Sequence, residues 1–261
     1  MTKRPEEIAL MAAAGKLLAE VFGHLDRVDL IGMSTMQVND LVDDFIVNTL
    51  DARPASKGQY VFAYAMNTSR NDVVCHGVPS ATEVLQSGDI VNFDITLEKN
   101  GYIADSSKTY LVGNAPPAAR RLVRATYEAM WMGIRAVRPG ARLGDIGFAI
   151  ERHARRYGYS VVHDYCGHGI GREMHEDPQI LHFGKPGTGL TLRAGMTFTI
   201  EPMLNRGRRQ VQTEDDGWTV TTRDGSLSAQ FEHTVAVTAS GAAVLTLRHD
   251  ESATGPGGSG V

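Results

Sequence analysis

The predicted secondary-structure elements of this chain follow the order helix, helix, strands, and this order occurs twice. Apolar residues recur at helical spacing from Pro5 to about Leu25, and again after a cap at Ser34 or Thr35. Strand-like alternation follows in "DIVNFDITLEKNGYIADSSKTYLV". The helical segments "RRLVRATYEAMWMGIRAVRPG" and "LGDIGFAIERHARRYG" then precede the strand-like segments "MTFTIEPML", "GWTVTT" and "SAQFEHTVAVT". Repetition at a period of roughly a hundred residues predicts an α/β domain made of two similar halves folded together.

The element order also suggests where the domain begins and ends. We predict one domain over residues 1–250, with halves at about 1–112 and 117–250. The last segment, "ESATGPGGSGV" at 251–261, consists of small and polar residues. Such a composition cannot bury enough apolar surface to offset its conformational entropy, so we predict that this tail is disordered.

Charge and cysteine content restrict the class of partner. The formal net charge is −4 and the sequence pI is near 6.1, which provides no basic field for nucleic acid or polybasic patch for a membrane surface. Lys16 and Glu20 interrupt the apolar stretch near the N-terminus, so we predict no signal peptide and no membrane span. Two cysteines, Cys75 and Cys166, form no disulfide framework, although one bridge between them stays open. We therefore expect a cytoplasmic protein.

The dipeptide Asn100-Gly101 lies between two strand-like segments and predicts a two-residue hairpin turn. With this turn, Asp94 faces Ser107 and Asp105 lies diagonally across from Asp94 on the same face, within ~8 Å at Cβ. Two partly buried carboxylates so placed repel each other unless a cation lies between them. The alternative is a solvated polar face, because "ADSSKTY" is hydrophilic.

Two further acids, Glu201 in "MTFTIEPML" and Glu232 before "HTVAVT", lie in apolar strands, although each could face water on an edge strand. Glutamate is rarely buried without a partner. In "DYCGHGIGREMHEDP" the glycines allow the backbone to approach a neighbour closely, and His168 lies among them. The alternative is a flexible loop with solvated histidines. Four carboxylates and one imidazole together can hold two divalent ions, and the imidazole favours manganese, iron, cobalt or zinc.

Six motifs in order resemble type I methionine aminopeptidases in their short bacterial form. They are "NDVVCHGVP", "GDIVNFDIT", "GYIADSSKTY", "YCGHGIGREMHEDP", "MTFTIEPM" and "GWTVTTRDGSLSAQFEHT". The resemblance runs from about Pro5 to Leu247. It implies the pita-bread α/β fold, with two pseudo-symmetric helix-helix-strand halves around a dinuclear metal site.

The resemblance also implies roles for individual residues. His76 and His175 contact the substrate and stabilise the reacting carbonyl, and Glu201 carries a proton to the leaving amine after attack by metal-bound hydroxide. The substrate is the initiator methionine of nascent proteins with a small second residue, which the enzyme, expected to be a monomer, meets at the ribosome. The implied metal ligands are Asp94, Asp105, His168, Glu201 and Glu232.

The chain departs from the family pattern where the methionine side chain is bound. Gln59, Phe62 and Asn67 lie in "GQYVFAYAMNTSRND", where family members commonly read G-Y-x-G-Y-P followed by S-x-N-E. Met174 stands where an aromatic residue is usual, whereas Trp218 matches a family pocket residue. We expect Phe62 and Trp218 to contact the substrate, in a pocket less selective for methionine.

Two alternatives remain open. A prolidase or aminopeptidase P shares this fold and metal set, but such enzymes usually carry a large N-terminal domain ahead of the catalytic one. A non-catalytic binding protein can keep the pita-bread fold, but such relatives tend to lose metal ligands, and all five are present here.

Overall fold

Four α-helices flank a nine-stranded antiparallel sheet in the computed structural model, which describes residues 2–256. A π-helical turn, Phe45–Thr49, extends the second helix, and a 3₁₀ turn covers Gln59–Val61. The helices are α1 (Pro5–Leu25), α2 (Thr35–Asp44), α3 (Pro117–Ala136) and α4 (Leu143–Tyr157).

The strands form this large sheet and two three-stranded sheets beside it. The strands are β1 (Arg53–Pro54), β2 (Met66–Arg70), β3 (Val73–Cys75), β4 (Ile90–Lys99), β5 (Tyr102–Leu111), β6 (Ser160–Val161), β7 (Gly167–Gly169), β8 (Glu176–Ile180), β9 (Thr197–Ile200), β10 (Met203–Asn205), β11 (Val211–Thr213), β12 (Val220–Thr222), β13 (Ser228–Gln230), β14 (Glu232–Val237) and β15 (Ala242–Val244). The large sheet has the order β1-β4-β5-β14-β9-β7-β8, with β2 paired to β4 and β15 to β14. The smaller sheets have the orders β13-β10-β6 and β11-β12-β3.

The β4–β5 hairpin has the predicted turn and register. Asn100 and Gly101 have φ angles of 54° and 74°, the left-handed pair that a type I′ turn requires. Asp94 lies opposite Ser107, so Asp105 lies diagonally across from it. The hairpin prediction is confirmed, and it brings two carboxylates of the first half to one face of the sheet.

The predicted helix ends are also close to the observed ones. The Ser34 hydroxyl accepts from the Gln37 backbone N–H at 3.2 Å and so caps α2. Helix α4 ends at Gly158, whose φ of 77° is the left-handed conformation that closes many helices. Both boundaries follow from local backbone chemistry.

Each pair of helices covers its own part of the sheet. Leu18 and Phe22 of α1 share a buried cluster with Phe93 of β4, whereas Trp131 of α3 shares another with Phe198 of β9. The strands β5 and β14, one from each half of the chain, pair with each other and join the halves. The predicted helix-helix-strand repetition is therefore confirmed, and its junction lies at the centre of the sheet.

Helix α1 is long and apolar enough to cross a membrane by length and composition alone, with a mean hydropathy of 1.5 over its most apolar 18 residues. However, 44% of this window is buried inside the protein, and a buried core helix passes the same test. The helix is thus weak evidence for a membrane span. Its apolar face already has a partner in the sheet.

The first part of the tail predicted to be disordered makes contacts in the structure. The Glu251 side chain is only 3% exposed, the Arg135 guanidinium donates to the Thr254 carbonyl at 3.0 Å, and Gly255 packs on Trp131. The partners of residues 251–256 lie far away in sequence, so composition does not reveal these contacts, and disorder of the tail stays a prediction. Residues 257–261 lie outside the described part of the chain.

The packing of α1 predicts different results for two glycines in the same helix. A Cβ on Gly15 would lie 2.1 Å from the Leu245 carbonyl oxygen, whereas a Cβ on Gly23 would meet only the ring of the exposed His249 at 3.1 Å. Backbone cannot move aside as a side chain can, so we expect Gly15→Ala to lower the free energy of unfolding by about 1–3 kcal/mol or more. Gly23→Ala gains up to about 1 kcal/mol of helix propensity and is the matched control.

Urea unfolding of both variants beside the wild type measures the difference. Equal stability of the Gly15→Ala and Gly23→Ala proteins would contradict this account of the α1 packing.

Candidate active site

A cavity of about 620 Å³ lies at the junction of β5 and β14. All the residues predicted for metal, catalysis or substrate contribute to its lining. They are Phe62, His76, Asp94, Asp105, His168, His175, Glu201, Trp218 and Glu232.

Five successive strands of the large sheet each bring to this cavity one side chain of a kind that can bind a metal ion. In the sheet order β4-β5-β14-β9-β7, Asp94, Asp105 and Glu232 lie on the first three strands. Glu201 directly follows β9, and His168 is the middle residue of β7. Residues from both halves of the chain, as far apart in sequence as Asp94 and Glu232, therefore meet at one place.

The distances between these groups suit a shared cation. Ligand atoms of Asp105, His168 and Glu232 all lie within 4.8 Å of one another. His168 Nε2 lies 3.5 Å from Glu201 Oε1 and 3.8 Å from Asp105 Oδ2. These separations are longer than a hydrogen bond and leave room for an ion that all of these side chains could contact.

The backbone around His168 determines which ring nitrogen can bind a metal. Nδ1 lies 3.0 Å from the Gly169 carbonyl oxygen, which can only accept, so the proton is on Nδ1 and the Nε2 lone pair is free. Burial, together with the nearby His175, lowers the pKa of His168 to about 4, so that the ring is neutral at pH 7. A Cβ on Gly169 would lie 2.2 Å from the Asp177 carbonyl oxygen, which explains the glycine there.

The four carboxylates are held in surroundings that oppose their charge. Burial raises the pKa of Asp94 to about 7 and that of Glu201 to about 8. Burial and then repulsion by the other acids raise the pKa values of Asp105 and Glu232 well above the ordinary range. Asp105 Oδ1 and Glu232 Oε1 are buried without a hydrogen-bond partner among the described residues. Four carboxylates, two unpartnered oxygens and a neutral imidazole fit a divalent metal.

The two histidines predicted to contact the substrate, His76 and His175, lie beside this cluster. The His175 ring is 4.4 Å from the His168 ring, and its Nδ1 lies 3.2 Å from the Tyr60 hydroxyl. His76 has a φ of 57°, a conformation that costs a non-glycine residue free energy and often occurs at functional sites. Burial lowers the pKa of both rings, so at neutral pH each is an uncharged donor or acceptor.

A second part of the cavity wall is mixed in character. The rings of Phe62 and Trp218 pack with centroids 5.1 Å apart, and the buried Met174 lies beside the same space. Gln59 and Asn67 add amide groups to this wall. The wall therefore suits a linear apolar side chain and is formed partly by adaptable groups.

Several residues that contact the site were not among the predicted functional ones. The Thr199 hydroxyl donates to Glu201 Oε1 at 2.6 Å, the Gln230 amide lies 3.5 Å from Oε2, and the Glu201 N–H donates to His182 Nε2 at 3.2 Å. The spacing in "AQFEHT" could have indicated Gln230, which is two residues before Glu232. No local pattern indicates Tyr60, which is brought to His175 by a turn.

Comparisons with known proteins give one consistent result. The model of metallopeptidase family M24 matches residues 9–239. The methionine aminopeptidase of Escherichia coli (strain K12) is 45% identical over 250 residues, which cover 96% of this chain and 95% of the relative. The crystal structure of methionine aminopeptidase from Rickettsia prowazekii superposes with a TM-score of 0.92 at 47% identity, covering 95% of this chain and 99% of that one. The predicted pita-bread fold is confirmed.

A more distant likeness extends to prolidases. The prolidase from Pyrococcus horikoshii OT3 has a TM-score of 0.74 at 19% identity. The alignment covers 95% of this chain and 64% of that longer one. At this identity the likeness shows only that the fold is shared.

The raised carboxyl pKa values predict how pH affects the metal-free protein. Between pH 7 and 8.5 the folded protein keeps protons on acids such as Glu201 that the unfolded chain has already lost, so its stability falls as pH rises. We expect the thermal midpoint of the metal-free protein to be lower at pH 8.5 than at pH 7, and Mn²⁺ to raise it most at pH 8.5. Calorimetry at both pH values measures these midpoints.

Glu201→Gln is the matched variant, because it removes one of the titrating acids. Its midpoint should fall less between pH 7 and 8.5 than that of the wild type. A metal-free wild type that gains stability over this range would contradict the prediction.

Proposed function

The chain belongs to metallopeptidase family M24, and from this we propose that it removes N-terminal methionine from peptides whose second residue is small. It is a metal-dependent exopeptidase, a hydrolase of the amide bond after the first residue. The observation that supports this function best is the convergence of four carboxylates and a neutral imidazole from five successive strands. The identity of 45% to a methionine aminopeptidase over almost the whole chain supports the proposal that the residue removed is methionine.

The metal would be held by the five side chains that converge from the strands. We propose two ions, because four carboxylates offer eight oxygens, and manganese, iron, cobalt or zinc, because an imidazole is among the donors. When bound, such ions polarise the peptide carbonyl and lower the pKa of a coordinated water. The ligands would be Asp94, Asp105, His168, Glu201 and Glu232.

Three side chains act on the substrate and on the transferred proton. We assign Glu201 as the proton carrier to the leaving amine, with Oε2 as the acting atom because Oε1 already accepts from Thr199 at 2.6 Å. His175 donates from Nε2 to the carbonyl oxygen as its charge develops, because the Tyr60 hydroxyl is 3.2 Å from Nδ1 and can stabilise the needed tautomer. We assign His76, which also lines the cavity, to contact with the peptide.

The cavity wall determines which first residue fits. Phe62 and Trp218 pack together and offer an apolar surface to the methionine side chain, and Met174 adapts to its thioether. The proposed partners are methionyl peptides of nascent proteins. We further propose that the protein acts as a monomer in the cytoplasm, at the ribosome.

His175→Ala should separate turnover from metal binding. The variant should retain the wild-type metal content after dialysis, while kcat falls by about 10²–10³-fold because one donor to the developing charge is lost. Release of methionine from Met-Ala-Ser peptides with added Mn²⁺ or Co²⁺ measures kcat.

His163→Ala is the matched control, since that histidine stacks on Phe183 away from the carboxylates. A His175→Ala kcat within a few-fold of the wild type would show that the role is wrongly assigned. Metal loss in Asp105→Asn or Glu232→Gln tests the ligand roles separately.

The altered wall predicts a relaxed preference at the first position. We expect the wild type to prefer methionine at the first position. In Met174→Phe, the kcat/KM ratio of Met-Ala to Leu-Ala or norleucyl-Ala peptides should rise, because a rigid ring narrows the cleft. Apolar pockets resolve a methylene-sized difference by only about 1–3 kcal/mol, so such a shift is measurable. Met132→Phe on α3, away from the cavity, is the control.

A panel of X-Ala and Met-X peptides tests both positions at once. The second position should accept Gly, Ala, Ser, Thr, Cys, Pro or Val. A preference for proline at the second position, whatever the first residue, would refute the methionine assignment. Such a result would favour an aminopeptidase P or prolidase-like activity. Absence of turnover with every metal would favour a binding protein.

A further inference from the structure

A buried charged pair lies behind the two central strands, on the side away from the cavity. Arg248 Nη2 donates to Glu251 Oε1 at 2.8 Å, and the Arg248 backbone N–H donates to Oε2 at 2.9 Å. The two side chains are 2% and 3% exposed. Burying such a pair costs desolvation free energy that its attraction often fails to repay, so stability alone does not account for it. Glu251 lies beyond the residues that the family model matches.

Arg248 contacts the strand that carries Asp105. Its Nη1 donates to the Ser106 hydroxyl at 3.1 Å and to the Ser107 carbonyl at 3.2 Å. The Ser106 hydroxyl in turn donates to the Glu232 carbonyl at 2.7 Å. The Arg248 guanidinium therefore contacts the two residues that follow Asp105. Through the Ser106 hydroxyl it is also linked to the backbone of Glu232.

Glu251 contacts the strand that carries Glu232. Its Oε2 lies 3.1 Å from Nε2 of His233, a fully buried residue that directly follows Glu232. The other ring nitrogen, Nδ1, lies 3.0 Å from the Thr246 hydroxyl, and Trp131 packs edge-on against the ring. Successive strand residues point to opposite faces, so fixing His233 fixes the direction of Glu232.

The strands that these contacts join are paired over a short length. β5 and β14 are in register at Glu232 with Ser107 and at His233 with Ser106. Burial and the proximity of the two acids raise the pKa values of Asp105 and Glu232, and among the described residues each has a buried oxygen without a hydrogen-bond partner. Arg248 and Glu251 contact both strands beside this short pairing.

We propose that Arg248 and Glu251 are positioning residues that fix the separation of Asp105 and Glu232 for metal binding. The inference rests on the ligand roles assigned under the proposed function. Residues that orient metal ligands from behind typically change metal affinity by about 10–100-fold when substituted. The segment from Arg248 to Glu251, after the last strand, thereby supports the proposed metal ligands from behind.

Glu251→Gln is the test, because it keeps the shape of the side chain and removes its charge. Asp250→Asn is matched in charge and adjacent, but its side chain is 59% exposed and meets Lys108 only at 3.4 Å. Titration of the metal-free proteins with Mn²⁺ gives the dissociation constants, and methionine release from Met-Ala-Ser gives kcat and KM. We expect Glu251→Gln to bind Mn²⁺ about 10-fold or more weakly and to lose kcat at subsaturating metal, with KM within about twofold. Asp250→Asn should match the wild type.

A structural role alone would give a different result. If Glu251→Gln lowers the thermal midpoint of the metal-free protein but leaves Mn²⁺ affinity and kcat unchanged, the inference is wrong. If that variant does not fold, Ser106→Ala decides, since it keeps the ion pair and removes only the hydroxyl between Arg248 and Glu232. Weaker Mn²⁺ binding by Ser106→Ala supports the inference, and unchanged binding refutes it. A wild type that binds no divalent ion would instead refute the proposed function, on which the inference rests.

Discussion

Four carboxylates that face one another, two of them almost fully buried, are the constraint on which the rest of this structure depends. Asp105 and Glu232 lie on neighbouring strands from different halves of the chain, and both are almost without solvent. Burial and the charge of the neighbouring acids raise the pKa values of both carboxyl groups. Keeping all of these groups ionised without a cation therefore costs free energy. A divalent cation bound by the proposed ligands would remove this penalty, and strand pairing holds these side chains close together.

Short polar side chains hold the two central strands together. The Thr234 hydroxyl accepts from the Asp105 N–H at 3.2 Å and donates to the Asp105 carbonyl at 2.8 Å. Ser106 and Thr246 have similar bridging roles toward Glu232 and His233. Each hydroxyl has few conformations to lose, so these bonds can fix backbone position at small entropic cost. The carboxylates are therefore supported through their own main chain.

Features determined by local chemistry could be predicted from the sequence, whereas features determined by distant partners could not. The Asn100-Gly101 turn fixed the β4–β5 register, and with it the placement of Asp94 and Asp105 on one face. Tyr60 approaches His175, 115 positions away, through a turn with unusual backbone angles. Glu251 was assigned to a disordered tail because its neighbours are small and polar, yet its partners Arg248 and His233 bury it. The ligand and catalytic roles themselves stay predictions.

The two sides of the cavity are held by different physical means, and this separates binding of metal from choice of substrate. On the ligand side, strand pairing, buried hydroxyls and an ion pair leave little freedom of movement. On the wall side, Met174 and Gln59 have side chains with several rotatable bonds and lie outside the paired strands. A substitution in the wall can therefore change which first residue fits without moving the carboxylates. Two of the departures of this chain from the family pattern, Gln59 and Met174, lie in the wall, whereas Asn67 lies opposite Asp94 in the β2–β4 pairing, beside the proposed metal ligands.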